Sequence, residues 1–147
     1  MIVVIQRCSR GKVTVSNKVV GQISHGLVIL LGVQKNDTQK DADYLVHKIS
    51  GLRIFSDEND KMNLSIKDMG GSALVISQFT LCGDTKKGRR PSFIQAAAPE
   101  DGNRLYEYFM SELEREGVPV QSGEFGAMMD VELVNNGPVT FVLNSKD

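Results

Sequence analysis

The sequence has few of the residues on which disulfide and metal chemistry depend. Of 147 residues, only Cys8 and Cys82 are cysteine and only His25 and His47 are histidine. Two cysteines are too few for the disulfide framework of a small secreted domain, so we expect two reduced, buried thiols. Neither histidine lies at ligand spacing from a cysteine or carboxylate, so we expect no metal and no other cofactor.

Extremes of charge and hydrophobicity are also missing. The net charge is −1 and the pI is about 6.1, which argues against a nucleic-acid coat protein or a membrane-surface protein. The longest apolar run, residues 27–33, is too short to span a bilayer. No basic region precedes the apolar residues 2–5, which are typical of a strand rather than a signal peptide. We expect a cytoplasmic protein without membrane contact.

The length and the 41% hydrophobic content predict one domain over residues 1–147. Thr38 with Asp41 three residues later forms a capping box that starts one helix, and Pro99 starts a second that ends at Gly117. Short apolar or alternating segments predict strands at residues 1–6, 13–16, 19–23, 27–33, 53–55, 73–82, 120–123, 129–134 and 139–143. Helices and strands do not alternate regularly. The fold class expected is α+β, with largely antiparallel, barrel-like β-sheets and two main helices packed outside.

The segment 73–82 changes character along its length. Its apolar beginning predicts a buried strand, but Ser77, Gln78 and Thr80 then interrupt the run. An unpaired polar group costs about 1–3 kcal/mol when buried, so these side chains either face water or line a pocket. We favour a pocket whose other wall is residues 135–140. If the chain bends at Phe79-Thr80, the two N–H groups would suit an oxyanion hole.

A basic segment follows this strand. Lys86, Lys87, Arg89 and Arg90 form the densest positive cluster of the chain. The surrounding glycines lack the Gly-Lys-Ser/Thr ending of a phosphate-binding loop, so the segment is either a solvated loop or a local contact with RNA phosphates.

Two local patterns remain open on the residues alone. Ser77 could act as a nucleophile with His25 or His47 as base, although no Gly-x-Ser-x-Gly elbow is present. Gly137-Pro138 stands between two strand-like segments, where proline fits a simple turn or a cis peptide bond.

Two distant motifs, Ser77-Gln78-Phe79-Thr80 and Asn135-Asn136-Gly137-Pro138-Val139-Thr140, closely resemble those of the D-aminoacyl-tRNA deacylases of the bacterial and eukaryotic type. The similarity runs from end to end. Further matching segments are Met1-Ile2-Val3-Val4-Ile5-Gln6-Arg7, Arg53-Ile54-Phe55-Ser56-Asp57, Lys61-Met62-Asn63-Leu64, Arg90-Pro91-Ser92-Phe93 and Tyr106-Glu107-Tyr108-Phe109. Asn136 stands where some relatives have aspartate.

The resemblance implies a homodimer that acts on the 3′ end of aminoacyl-tRNA. Such an enzyme hydrolyses the ester of a D-amino acid, and of glycine mischarged onto tRNA(Ala), as translational proofreading. The resemblance also implies that Gly137-Pro138 is cis and enters the partner's pocket, where its carbonyl oxygens would exclude an L side chain.

The resemblance further assigns the pocket residues. Ser77, Gln78, Phe79 and Thr80 would form the catalytic strand, with Phe125 and Met129 beside the amino acid or the adenine. Thr80 would be the nucleophile, or the 2′-hydroxyl of the terminal adenosine would assist attack by water. We favour the second mechanism because no base is evident near Thr80. The other hypotheses are the serine hydrolase described above and a non-catalytic dimeric RNA-binding module.

Overall fold

The computed structural model describes residues 1–147, which form a main sheet of six strands, a separate sheet of two short strands, and two helices. In chain order the elements are β1 (Ile2–Val15), β2 (Lys18–Ile23), β3 (Gly26–Gly32), α1 (Gln39–Gly51), β4 (Phe55–Ser56), β5 (Met62–Leu64), β6 (Ser72–Ser77), a 3₁₀ turn (Phe79–Cys82), α2 (Pro99–Arg115), β7 (Val120–Ser122) and β8 (Asp130–Asn144).

Strand β1 is the centre of the sheet. Strand β8 pairs with one edge of β1, over β1 residues Ile2 to Thr14. The other edge of β1 pairs first with β3 and then with β2, and all three pairings are antiparallel. The predicted strands at residues 1–6 and 13–16 are therefore parts of one strand, because pairing continues between them: Cys8, Gly11 and Lys12 have partners on both edges of β1. The predicted strands 13–16 and 19–23 leave residues 17–18 for the turn into β2. The turn is instead at Ser16-Asn17, where both residues have positive φ as in a tight hairpin.

Strand β6 runs parallel to both of its neighbours, β3 and β7. Parallel neighbours require crossover connections, and these contain α1 and α2. The predicted α+β class with two outer helices is confirmed, and most strand pairs are antiparallel as expected. The expectation that strands and helices do not alternate was wrong from β3 to β7. The apolar stripe of a helix shows that the helix packs on a core, but it does not show which strands the helix connects.

The two faces of the sheet bury different side chains. The larger cluster packs sheet residues such as Ile5 and Ile29 against Leu45 of α1 and Phe109 of α2. A smaller cluster on the other face contains Cys8, Val13, Ile23, Val28, Leu74 and Ile76. The central strands β3 and β6 are thus buried on both faces, as their continuous apolar sequences predict.

The smaller cluster lies inside a nearly closed curve of the sheet. Strand β2 approaches β7 so closely that a Cβ atom at Gly21 would overlap the carbonyl oxygen of Ser122. Cys8 and Cys82 are both buried and unpaired, as expected. Burial raises the pKa of the Cys8 thiol to about 11, although a backbone hydrogen bond from Gly26 opposes the shift. Neither helix is long and apolar enough to cross a membrane.

Helix α1 begins at the predicted capping box, and its first turn is linked to the end of β8. The N–H of Thr38 donates to the Asp41 carboxylate at 2.8 Å. The same carboxylate accepts from Ser145 Oγ at 2.7 Å and Lys146 Nζ at 2.8 Å. Burial opposes ionisation of Asp41, but these hydrogen bonds outweigh burial and hold its pKa well below the usual range. Asp41 therefore joins chain segments that are far apart in sequence.

We expect Asp41→Asn to lower the free energy of unfolding by about 1–3 kcal/mol at neutral pH, because three donors lose the charged acceptor that the buried Asp41 carboxylate provides. The pKa of Asp41 is lower in the folded state than the unfolded value of about 3.9. Its stabilisation is therefore complete above the unfolded-state pKa and is lost as pH falls toward the folded-state pKa.

Urea unfolding at pH 7 and at about pH 2.5 measures this effect, and the difference between variant and wild type should shrink in acid. The matched control is Asp101→Asn, whose exposed pairing with Arg104 should contribute little. The same deficit at both pH values would contradict the assignment.

Candidate active site

A cavity of about 540 Å³ opens where β3 and β6 end and α2 begins. This volume is within the range of small-molecule sites, and the lining is mainly apolar with few polar groups. The lining residues are Val33, Ile76, Ser77, Gln78, Phe79, Ala97, Pro99, Gly102, Phe125, Gly126, Ala127, Met128, Met129 and Val131. Five predicted site residues, Ser77, Gln78, Phe79, Phe125 and Met129, are therefore brought together from two separate parts of the chain.

The strand predicted over residues 73–82 ends at Ser77, and the chain then enters the 3₁₀ turn. Gln78 still donates its N–H to Leu31 O at 2.8 Å, which holds the bend against β3. Gly32 permits this approach, since a Cβ atom there would be 3.0 Å from Leu81 Cβ and 3.1 Å from Gln78 O. The chain thus does bend at Phe79-Thr80, the condition set for an oxyanion hole, and the expected strand from Gln78 to Cys82 was wrong.

The side chains at the bend differ in their positions. Ser77 and Gln78 are half-buried in the cavity wall, whereas Phe79 is 55% exposed at its mouth. Thr80 is exposed and outside the lining, and its Oγ1 accepts a hydrogen bond from Gln78 Nε2. Because Phe79 and Thr80 begin the turn, their N–H groups have no partner earlier within it. The main chain therefore offers donors here, while the Thr80 hydroxyl has no neighbouring base.

The opposite wall rests on α2. Phe125 lies against the Tyr106 ring, with the centroids 5.9 Å apart. The Tyr106 hydroxyl donates to Val75 O of β6 at 2.9 Å, and burial raises its pKa to about 12. Tyr106 thus connects both walls of the cavity. Sequence reasoning missed this role, although a tyrosine within an apolar helical stripe is a usable signal because its hydroxyl needs a buried partner.

The basic loop, residues 84–92, is anchored beside the cavity and does not line it. Main-chain hydrogen bonds between Asp84 and Ser92, at 2.8 and 2.9 Å, close the loop. The next residue, Phe93, packs edge-to-face on Phe79 with ring centroids 5.0 Å apart. The cluster Lys86, Lys87, Arg89 and Arg90 is solvent-exposed. The loop base therefore borders the mouth of the site.

The Gly137-Pro138 peptide bond is cis, as expected, and both residues are exposed within β8. They do not line the cavity of their own chain, so the proposed wall from residues 135–140 was wrong for a single chain. Asn135 Oδ1 accepts from the Val139 N–H at 2.7 Å, and Arg7 Nε donates to Asn136 O at 2.8 Å. These two contacts fix the segment. Sequence reasoning missed the role of Arg7, because its partner Asn136 is brought to it only by the pairing of β1 with β8.

The serine hydrolase arrangement is not formed. His25 precedes β3 beside the start of β6, whereas Ser77 lies opposite Leu31 at the far end. Five residues of strand separate these ends by about 16 Å. His47 is exposed on α1, and neither histidine lines the cavity. The structure also contains no group of three or more His, Cys, Asp or Glu residues that could hold a metal ion.

Comparison with known proteins gives a consistent result over the whole chain. The family model described as D-Tyr-tRNA(Tyr) deacylase matches residues 4–144. The chain is 55% identical to a D-aminoacyl-tRNA deacylase of Koribacter versatilis, covering 99% of this chain and 98% of the relative. It is 56% identical to a protein of the same name from Halalkalibacterium halodurans, covering 99% and 100%.

Two solved structures share the fold. The c-Myc DNA Unwinding Element Binding Protein is 38% identical with a TM-score of 0.91, covering 98% of each chain. A probable eukaryotic D-amino acid tRNA deacylase has a TM-score of 0.81 at 21% identity, covering 97% of this chain and 98% of that chain, and supports the fold alone.

Proposed function

The chain belongs to the D-Tyr-tRNA(Tyr) deacylase family, and we propose that it hydrolyses the ester bond of D-aminoacyl-tRNA to release the D-amino acid and tRNA. The observation that supports this activity most directly is the shared cavity of Ser77, Gln78, Phe79, Phe125 and Met129. Its apolar lining suits an amino-acid side chain or an adenine ring, and its few polar groups lie at one end. Charged tRNA as substrate also agrees with the expected cytoplasmic location.

The chemistry of this site relies on the main chain. The N–H groups of Phe79 and Thr80 would stabilise the oxyanion that forms when water attacks the ester carbonyl, an effect of about 2.7–4 kcal/mol per donor. Thr80 is a poor nucleophile here, because its only side-chain partner is the amide of Gln78, which donates and cannot remove a proton. The 2′-hydroxyl of the terminal adenosine would then assist the attacking water.

Selectivity for the D configuration would come from the Gly137-Pro138 segment of a second subunit. The segment is exposed, lies outside its own cavity and is held by Asn135 and Arg7, which suits a rigid group that enters a partner's site. Its carbonyl oxygens would exclude an L side chain while accepting a D side chain or glycine. The proposal therefore includes a homodimer, removal of glycine from mischarged tRNA(Ala) and a role in proofreading.

The purified protein should deacylate D-Tyr-tRNA at least about 100-fold faster than L-Tyr-tRNA, a difference of about 2.7 kcal/mol in activation free energy. The assay measures release of labelled amino acid in the presence of a chelator, with glycyl-tRNA(Ala) as a third substrate. Similar rates on both tyrosyl esters would contradict chiral selection. Salt-sensitive tRNA binding without hydrolysis of any ester would instead identify a non-catalytic RNA-binding module.

Thr80→Val tests the choice between the two mechanisms. Valine keeps the shape of threonine and removes the hydroxyl, so kcat on D-Tyr-tRNA should fall by less than about tenfold if the main chain and the substrate carry the chemistry. Ser77→Ala is the companion variant and should behave in the same way. A loss of about 10⁴-fold or more in Thr80→Val would establish the hydroxyl as the nucleophile.

Asn135→Ala tests the selectivity segment. The variant removes the acceptor of the Val139 N–H and the donor to Thr140 Oγ1, so the segment should lose its fixed shape. The D-to-L rate ratio should fall about tenfold or more, with the change largest on the L ester. Asn59→Ala, in an exposed loop, is the matched control. An unchanged ratio in a folded Asn135→Ala protein would show that this segment does not read chirality.

A further inference from the structure

Three exposed apolar side chains form a patch at the mouth of the cavity. Phe79, Phe93 and Ile94 are 55%, 38% and 68% exposed, and we call them the rim patch. The two rings meet edge-to-face, so each keeps part of its surface open to solvent. Phe79 belongs to the cavity lining, whereas Phe93 and Ile94 lie outside it. The rim patch therefore continues the apolar surface of the site outward toward the basic loop.

The positive charges next to the rim patch have no partners within the chain. Lys86, Lys87, Arg89 and Arg90 are exposed, and none of them takes part in an ion pair. The Asp84–Ser92 hydrogen bonds hold both ends of their loop together immediately before Phe93. Because both ends of the loop are held together, residues 85–91 can reach outward by at most half their extended length, about 12 Å. The cations therefore lie close to the rim patch. The chain as a whole carries a charge of −1, so this positive surface is local.

Aromatic surface beside unpaired cations is the combination that binds single-stranded nucleic acid, because bases stack on the rings and phosphates pair with the cations. Resting on the proposed function, we propose that the rim patch and basic loop bind the unpaired nucleotides that precede the terminal adenosine of the tRNA. Phe93 provides the stacking surface for a base, Ile94 extends the apolar contact, and the loop cations contact the phosphates. The terminal adenosine and amino acid enter the cavity.

Substrates of different length separate this contact from the chemistry. D-tyrosyl-adenosine reaches only the cavity, whereas a D-tyrosyl-CCA trinucleotide and D-Tyr-tRNA also reach the rim. Phe93→Leu removes the aromatic surface and should lower kcat/KM about five- to 150-fold on the two longer substrates, the effect of removing one base stack. Its activity on D-tyrosyl-adenosine should stay at the wild-type level. Phe93→Tyr keeps the ring and should restore activity on the longer substrates.

The interaction with phosphates is measured by salt dependence. Replacing all four loop cations by glutamine should make the plot of log kcat/KM against log salt concentration less steep, by about 0.7 for each phosphate of the trinucleotide that no longer has a cationic partner. Lys67→Gln is the charge control. Lys67 lies shortly before the start of β6, whereas Ser77 is at the other end of that strand, and Lys67 forms only an exposed ion pair with Glu116. The control should keep the wild-type slope.

Two results would overturn the inference. An equal decrease on D-tyrosyl-adenosine and on the longer substrates would show that Phe93 only supports Phe79, and an unchanged salt slope in the fourfold variant would rule out pairing of the loop with phosphates. Fluorescence anisotropy with an uncharged, labelled RNA ending in CCA gives a readout that does not require hydrolysis. If wild type cleaves no ester, the proposed function fails, while weaker RNA binding by Phe93→Leu and the fourfold variant would still support the role of the rim patch.

Discussion

The close packing of the 3₁₀ turn against the end of β3 is the constraint on which the site depends. Gly32 leaves no side chain between the two segments, and Gln78 completes the last main-chain contact with Leu31 before the chain turns. A continued strand would carry Phe79 and Thr80 along the sheet and would pair their N–H groups with a neighbour. The turn leaves these donors at its beginning, where a reacting carbonyl could use them. The same bend places Phe79 at the cavity mouth and directs the following loop to its rim.

The surrounding fold makes this bend rigid and gives it a second wall. Strand β6 is buried on both faces, and its parallel neighbours require the crossovers that contain α1 and α2. Helix α2 in turn supplies Tyr106, which bonds to β6 and supports Phe125 across the cavity. Long strands β1 and β8 carry Arg7 and Asn135, which fix the exposed Gly137-Pro138 segment on another part of the surface. In the proposed function, reaction and selection would therefore use separate parts of one sheet.

Much of the fold follows from local sequence patterns. The capping box at Thr38 and Asp41, the proline start at Pro99 and the continuous apolar run of β3 all lie where predicted, because each depends on neighbouring residues. The wrong predictions concern pairing between strands that are far apart in sequence. Strand β1 is continuous through polar residues because β8 and β3 or β2 pair with both edges, and β6 is parallel because of distant crossovers. A short stretch of sequence identifies neither the strands that pair with β1 nor the neighbours of β6.

For the site, the sequence by itself determined the residue types: the polar interruption at Ser77 and Gln78, the exposed cations after it and the two motifs that indicate the family. The tertiary structure decided what these residues can do. It separates His25 from Ser77 by the length of β6, gives Thr80 an amide rather than a base, and excludes Gly137-Pro138 from its own cavity. The physical reason is that chemistry depends on distances between atoms, and these are set by strand pairing and close packing across the whole chain.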